Sequence, residues 1–282
     1  MLRPVDLTRV FFVDIETAPG QADFQNLDPR RQQLWNTFCG RRYPKETEAG
    51  KSAADLYANA GIYAEFGQVV CISVGYFRRE PDGGLRFYLK SFASADECEV
   101  LRGFADALGE RRPYGSKLQG ATTREPRNPD DAAERRDLGH WLCAHNGREF
   151  DYAYLGRRMV ICGVSLPPML DIAGYKPWDL PHLLDTMEMW KFGDNKGGIQ
   201  LNLLAGLFQI PSPKDDIDGS QVGRVFWEEG EAGVRRIAEY CQRDVETLAR
   251  VYLHYAGQAN LWDPERVVRR PLGAGVAAMR VA

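Results

Sequence analysis

The sequence predicts an α/β domain in which a mixed five-stranded sheet, antiparallel first and parallel later, lies between helices. Three observations predict it. Strand-like runs at 10–17, 69–77 and 85–92 follow one another with no helix between the last two. After residue 94, helix and strand patterns alternate. A long helix with a single apolar stripe closes the chain.

Each element has its own local reason. Residues 10–17 (VFFVDIET) are β-branched and aromatic around two carboxylates, the composition of a strand. Residues 20–65 read as an insertion with helical stretches near 28–38 and 52–60, interrupted by the basic GRRYPK. VVCISVGYF and LRFYLKSF are joined by a segment ending Pro81-Asp82-Gly83-Gly84, which is hairpin-turn chemistry. Ser94 followed by Glu97 reads as a capping box before a helix that runs to about Glu110. Residues 111–139 are polar and rich in Gly, Pro and charge, an excursion from the core. A short strand at 140–145, a helix at 149–163, a strand at 182–185 and a helix at 200–208 follow. From about Glu231 to Tyr255, Val234, Ile237, Cys241, Val245, Leu248 and Tyr252 step by threes and fours, so one face of a helix meets the core. One domain over 1–262, with insertions at 20–65 and 111–139, and a loosely ordered tail at 263–282 complete the expectation.

Composition excludes several classes. With 44% hydrophobic and 27% charged residues the chain has ordinary globular usage, and no apolar run approaches the length of a membrane span. The first ten residues carry Asp6 and lead straight into an acid-containing run, which is not a secretory signal, so a soluble cytoplasmic protein is expected. Six cysteines without a CxxC pair argue against a disulfide framework and against structural zinc. The net charge of −3 is not that of a generally basic nucleic-acid binder. An anionic substrate would have to be met by metal ions or local patches.

Four acids and a tyrosine carry the chemistry. Asp14 and Glu16 are two apart in a strand and so share a face. Flanked by Phe11, Phe12, Val13 and Ile15, they sit where uncompensated carboxylates are costly, which points to a divalent cation; a surface or salt-bridged pair is the bland alternative. Asp151 follows His145-Asn146-Gly147-Arg148-Glu149-Phe150 in the first turn of a helix, where the helix dipole alone would favour an acid and Asn146 reads as its cap. Tyr240 and Asp244 are four apart on one helical face at the border of the apolar stripe; a boundary tyrosine beside a solvated acid is the alternative there. Asp185 with Thr186 reads as a strand end, with support for the neighbouring metal ligands as the alternative, and His140, His182 and His254 read as structural.

Taken together, the acid pair on the first strand, the acid after H-N-x-x-x-F and the acid four after Tyr resemble the three motifs of the DEDDy branch of 3′–5′ exonucleases, whose fold is RNase H-like. KPW at 176–178, HLLDTMEMWKFG at 182–193 and IPSPKDDIDGSQV at 210–222 extend the resemblance to bacterial predicted exonucleases related to the proofreading domain of family B DNA polymerases. It spans about Val10 to Tyr255. The sister branch has His one residue upstream of the tyrosine, where this chain has Glu239.

That resemblance implies two Mg²⁺ or Mn²⁺ ions held by Asp14, Glu16, Asp151 and Asp244, with Asp14 shared between them and Tyr240 orienting the attacking water. No Cys or His is expected in the ligand set, in keeping with hard oxygen-loving ions. It also makes Ile15, Thr17, His145, Asn146 and Phe150 candidate contacts to the 3′-terminal nucleotides, Phe150 by stacking. The implied substrate is a single-stranded 3′ end, DNA before RNA, and a replication or repair protein is the implied partner. An RNA-processing exonuclease and a catalytically silent nucleic-acid-binding scaffold are the alternatives. The 111–136 stretch holds seven basic residues against four acids, which reads either as a solvated loop or as a contact to substrate phosphates.

Overall fold

The computed structural model describes residues 5–109, 140–176, 179–194, 198–211, 217–270 and 272. The 111–139 excursion, Pro177-Trp178 and the acidic 214–216 stretch lie outside the described residues.

Six strands form one sheet in the order β5-β4-β1-β2-β3-β6. They are β1 (Val10–Pro19), β2 (Gly67–Arg79), β3 (Leu85–Ala93), β4 (Trp141–Ala144), β5 (Leu183–Asp185) and β6 (Val267–Arg269). β1 to β3 form the expected antiparallel meander, and β4 and β5 add in parallel beside β1. The β3-β2-β1-β4-β5 part is therefore the RNase H-like arrangement, and the antiparallel-then-parallel expectation holds.

The sixth strand was not expected. β6 runs parallel to β3, pairing Val267 with Phe87, and it comes from the tail read as loosely ordered. Its three residues are too few to show a period, and contacts made by their neighbours fix them. Trp262 packs on Phe77 and Phe87, and Arg266 forms an ion pair with Asp82 of the hairpin turn.

The helices are α1 (Pro29–Arg42), α2 (Pro44–Glu48), α3 (Glu97–Gly109), α4 (Asp151–Ile161), α5 (Thr186–Lys191), α6 (Leu201–Leu207) and α7 (Val222–Ala256). Two cores flank the sheet. Phe11, Val13 and Ile15 point to the face covered by α3 and α4, where they meet Leu101, Phe104, Tyr152 and Leu155. Val10 and Phe12 point to the opposite face, against Val245, Leu248, Tyr252 and Leu253 of α7. Gly75 of β2 lets that helix lie close: a Cβ there would come within 2.7 Å of Val245 Cγ1.

α7 begins earlier than the apolar stripe suggested. Gly230 breaks it at φ 57° and ψ −133°, so a first helical segment precedes the predicted one. That first segment packs Val222, Val225 and Phe226 beside Ala18 and Val70. Trp227 Nε1 donates to Pro19 O at 3.0 Å, which ties the segment to the end of β1.

The 20–65 insertion is built around Trp35, Cys39, Leu56 and Tyr57, with Phe24, Phe38, Tyr63 and Phe66 against them. Asp28 caps α1 by accepting from Arg31 N at 3.0 Å. The predicted second helix near 52–60 is instead a 3₁₀ stretch at Tyr57–Ile62. It is anchored to the domain through Tyr154 Oη, which donates to Gly61 O at 2.7 Å.

Two capping expectations fail. Glu97 does not fold back onto the start of α3; its carboxylate is drawn to Arg158, and Asp96 caps the helix by accepting from Cys98 N at 2.8 Å. Asn146 does not cap α4: its backbone is left-handed at φ 62°, and the N-cap residue is Phe150, which makes no side-chain cap bond.

Candidate active site

β4 pairs with β1 only over Val10 to Phe12, so from Val13 onward that edge of β1 is not bonded to β4. Asp14 and Glu16 lie on this exposed-edge portion, opposite Ser73 and Cys71 of β2. By strand alternation they continue the row of Val10 and Phe12, on the face that α7 covers. A bulge between Glu16 and Thr17 ends the regular pairing.

The remaining groups come from two helices that converge on this spot. Asp151 is the first residue of α4, 3% exposed, and its carboxylate accepts a hydrogen bond from the Ile15 backbone. Tyr240 and Asp244 sit one turn apart on α7, and the tyrosine hydroxyl donates to the Asp244 carboxylate.

Electrostatics show the strain of this gathering. Burial holds the Asp14 carboxyl well above the usual range, and Asp244 and then Asp151 push it further. Glu16, 8% exposed, is raised first by burial and then by Asp14 and Asp244. Burial pushes Asp151 up to about 7, with Asp185 adding to the effect. Burial, then Asp244 and Glu16, moves the Tyr240 phenol far above its ordinary value. Buried acids that repel one another need either protons or a cation. Donor atoms of Asp14 and Glu16 lie within 4.8 Å of each other and of the Cys241 thiol, so the residues present fit a divalent ion.

A thiol lies beside the acids, although no cysteine was expected among the ligands. Cys241 Sγ lies 3.4 Å from Asp14 Oδ2 and 3.4 Å from Asp14 O. Its place in the apolar stripe marked it as a core residue, and it is fully buried. The signal in the sequence was its position three residues before Asp244 on the same helix.

Asp185 takes the supporting role and not merely that of a strand end. Its carboxylate accepts from Asn146 N at 3.0 Å, Arg148 N at 3.0 Å and Met187 N at 2.9 Å. It therefore clamps the loop that delivers Asp151 while capping α5. An apolar strand ending in Asp-Thr with Glu188 three residues on was the available clue.

The candidate substrate contacts separate into groups. The Ile15 side chain is buried in the α3–α4 core, so it cannot meet a nucleotide through that side chain, and its backbone serves Asp151. The Thr17 hydroxyl bonds with Tyr154. His145 uses both ring nitrogens within the protein, toward Thr186 Oγ1 at 2.9 Å and Ile199 O at 2.7 Å. Burial also lowers its pKa, which favours the neutral ring. Asn146 and Phe150 stay half-buried at the loop before Asp151, with Phe150 set against Tyr154.

Fold and side chains together define a buried carboxylate centre on an RNase H-like sheet. Residues 138–269 match the family described as predicted 3′–5′ exonuclease related to the exonuclease domain of PolB. The match takes in Asp151, Tyr240 and Asp244, and β1 with Asp14 and Glu16 precedes it. Among solved structures, the family B DNA polymerase from the hyperthermophilic archaeon Pyrobaculum calidifontis is similar over 89% of this chain, at 17% identity and a TM-score of 0.46. The chain covers 25% of that polymerase. No curated protein matches the chain. Among the described residues no helix is long and apolar enough to cross a membrane.

Proposed function

We propose that the chain is a metal-dependent 3′–5′ exonuclease that removes nucleotides from single-stranded 3′ ends, DNA in preference to RNA. The observation that carries this reading is the convergence of Asp14, Glu16 and Asp151 in one buried, mutually repelling group, with Asp244 and Tyr240 beside it. A structural role would not gather such groups, because uncompensated burial of acids destabilises the fold.

Asp14, Glu16, Asp151 and Asp244 would hold the ions. Two divalent ions bound together supply Lewis acidity toward the attacking and leaving oxygens of a phosphodiester. Tyr240 is tied to Asp244 and stays protonated, because its phenol is held far above its ordinary value. With that proton given to Asp244, its oxygen would accept a hydrogen bond from the water and orient it, and the phenol would not be the base that takes its proton. Asp185 positions Asp151 by fixing the loop from Asn146 to Arg148. Phe150, half-buried at the mouth of that loop, offers a face for a terminal base.

The preference for DNA rests on the family description, which ties the matched region to a DNA polymerase's exonuclease domain. A replication or repair protein is then the partner that would present frayed ends. The test is digestion of 5′-labelled single-stranded DNA, and of RNA of the same sequence, with Mg²⁺, Mn²⁺ or EDTA. Stepwise shortening from the 3′ end with either ion, and none with EDTA, is expected. Cleavage that persists in EDTA, internal cuts, or digestion of RNA alone would overturn the reading.

A further inference from the structure

Cys241 brings a different chemistry into the acid centre. Its thiol touches Asp14 Oδ2, and its Sγ lies within 4.8 Å of a carboxylate oxygen of each of Asp14 and Glu16. Cys241 is fully buried and Glu16 is 8% exposed, so both are held beneath the surface by the packing of α7 on β1 and β2. Burial and neighbouring acids, not hydrogen bonds, dominate the surroundings of the Glu16 carboxylate. One of its oxygens lies within 4.8 Å of both the Cys241 thiol and an Asp14 oxygen.

We propose that Asp14, Glu16 and Cys241 form a mixed sulfur–oxygen site that takes a thiophilic divalent ion, Zn²⁺ or Cd²⁺, and that this ion shuts off hydrolysis by occupying Asp14. The inference rests on the metal-dependent reading above. The three ligand atoms lie within 4.8 Å of one another, with Cys241 Sγ 3.4 Å from Asp14 Oδ2, so a modest contraction brings them to the about 3.3–3.8 Å that separates ligands around a four-coordinate zinc with bonds of about 2.0–2.3 Å. Mg²⁺ demands six oxygens in near-octahedral array and has no use for sulfur, so with Mg²⁺ bound the thiol stays protonated and donates to Asp14. With Zn²⁺ or Cd²⁺ a sulfur–metal bond forms, the S–H bond breaks, and the proton leaves to solvent without any change of oxidation state. Such ions also outrank Mn²⁺ in affinity for nitrogen, oxygen and sulfur donors. Asp14 would help hold the hard ions in the metal-dependent reading, so its capture by a sulfur-bound ion would take away that set.

The test is cadmium titration followed by the thiolate-to-cadmium charge-transfer absorption. It uses the full chain carrying Cys98→Ser and Cys162→Ser, because those two half-exposed thiols adjoin one another and would add a band of their own. Mn²⁺ binding is followed in parallel by electron paramagnetic resonance. One equivalent of Cd²⁺ should raise the band, excess Mn²⁺ should bleach it through competition for Asp14 and Glu16, and Cys241→Ser should remove it. Cys241→Ser should also weaken inhibition by Zn²⁺ by about tenfold or more. Competition by Mn²⁺ in the Cys98→Ser/Cys162→Ser chain alone keeps the test valid if Cys241→Ser unfolds. Mn²⁺ binding with no cadmium band, or a band that survives Cys241→Ser, overturns the proposal and leaves the carboxylate centre standing. Binding of neither ion overturns the metal-dependent reading itself.

Discussion

Among the described residues, two buried acid sites are satisfied in opposite ways. Glu97, on α3, accepts from Val69 N at 2.7 Å and from Arg158 Nε at 2.7 Å, and a second guanidinium nitrogen of Arg158 closes the pair. Its charge is met inside the protein by a cation and an amide. Asp14 and Glu16 instead have burial and neighbouring acids, Asp244 among them, as their main influences, and Asp151 has burial with Asp185 beside it; a thiol and backbone amides relieve them. An internal cation makes the first site a fastener between α3 and α4. Lack of such compensation at the second is what marks it as a place for an ion from outside.

The largest expected effect separates the two sites by what fails. Asp14→Asn should abolish hydrolysis while the protein still unfolds in one cooperative transition, and in the absence of metal it should unfold no earlier than the parent. Glu97→Gln should do the reverse. It leaves Arg158 buried without its partner, at a cost of about 3–5 kcal/mol, and should lower the unfolding temperature while any folded molecules still cleave. Equal loss of stability in both variants would erase the distinction.

Next in size is the tyrosine. Tyr240→Phe keeps the ring and removes the hydroxyl, so turnover should fall on the order of 10²-fold while Mn²⁺ binding persists. Identical rates for parent and variant would return Tyr240 to a packing role.

A smaller effect follows from Asp151, held up at about 7 when no cation is bound. An unfolded aspartate ionises near 3.9. The raised folded value means its stabilisation is fully present below about 3.9 and is lost as pH rises through about 7. Metal-free protein should therefore become easier to unfold across that window. Added Mn²⁺ should restore stability more at pH 8 than at pH 6, since protons compete with the ion for the carboxylate. A metal-induced gain that is the same at both values would show that Asp151 is not part of the ion's environment.

Much of this was legible in the sequence because the signals were local. VFFVDIET fixed a strand with two acids on one face, and the stripe from Val234 to Tyr252 fixed a helix, so the meeting of Asp14 with Asp244 followed once sheet and helix were packed. What stayed hidden depended on partners far along the chain. Glu97 looked like half of a capping box because Arg158 lies 61 residues away. Asp185 looked like a strand end because the amides it accepts from lie 37 and 39 residues earlier. Cys241 counted as an apolar residue by period, and only the closeness of α7 to β1 shows it touching Asp14. β6 was missed because three residues carry no period, and its pairing is set by Trp262 and Arg266 beside it.

The central claim is that the second acid site is completed by a divalent ion, and calorimetric titration with Mn²⁺ at pH 8 tests it most directly. Saturable binding to the parent chain, with strong loss of affinity in Asp14→Asn and unaltered affinity in a folded Glu97→Gln, is the predicted result. No binding to the parent, or the same binding to parent and Asp14→Asn, would contradict the account.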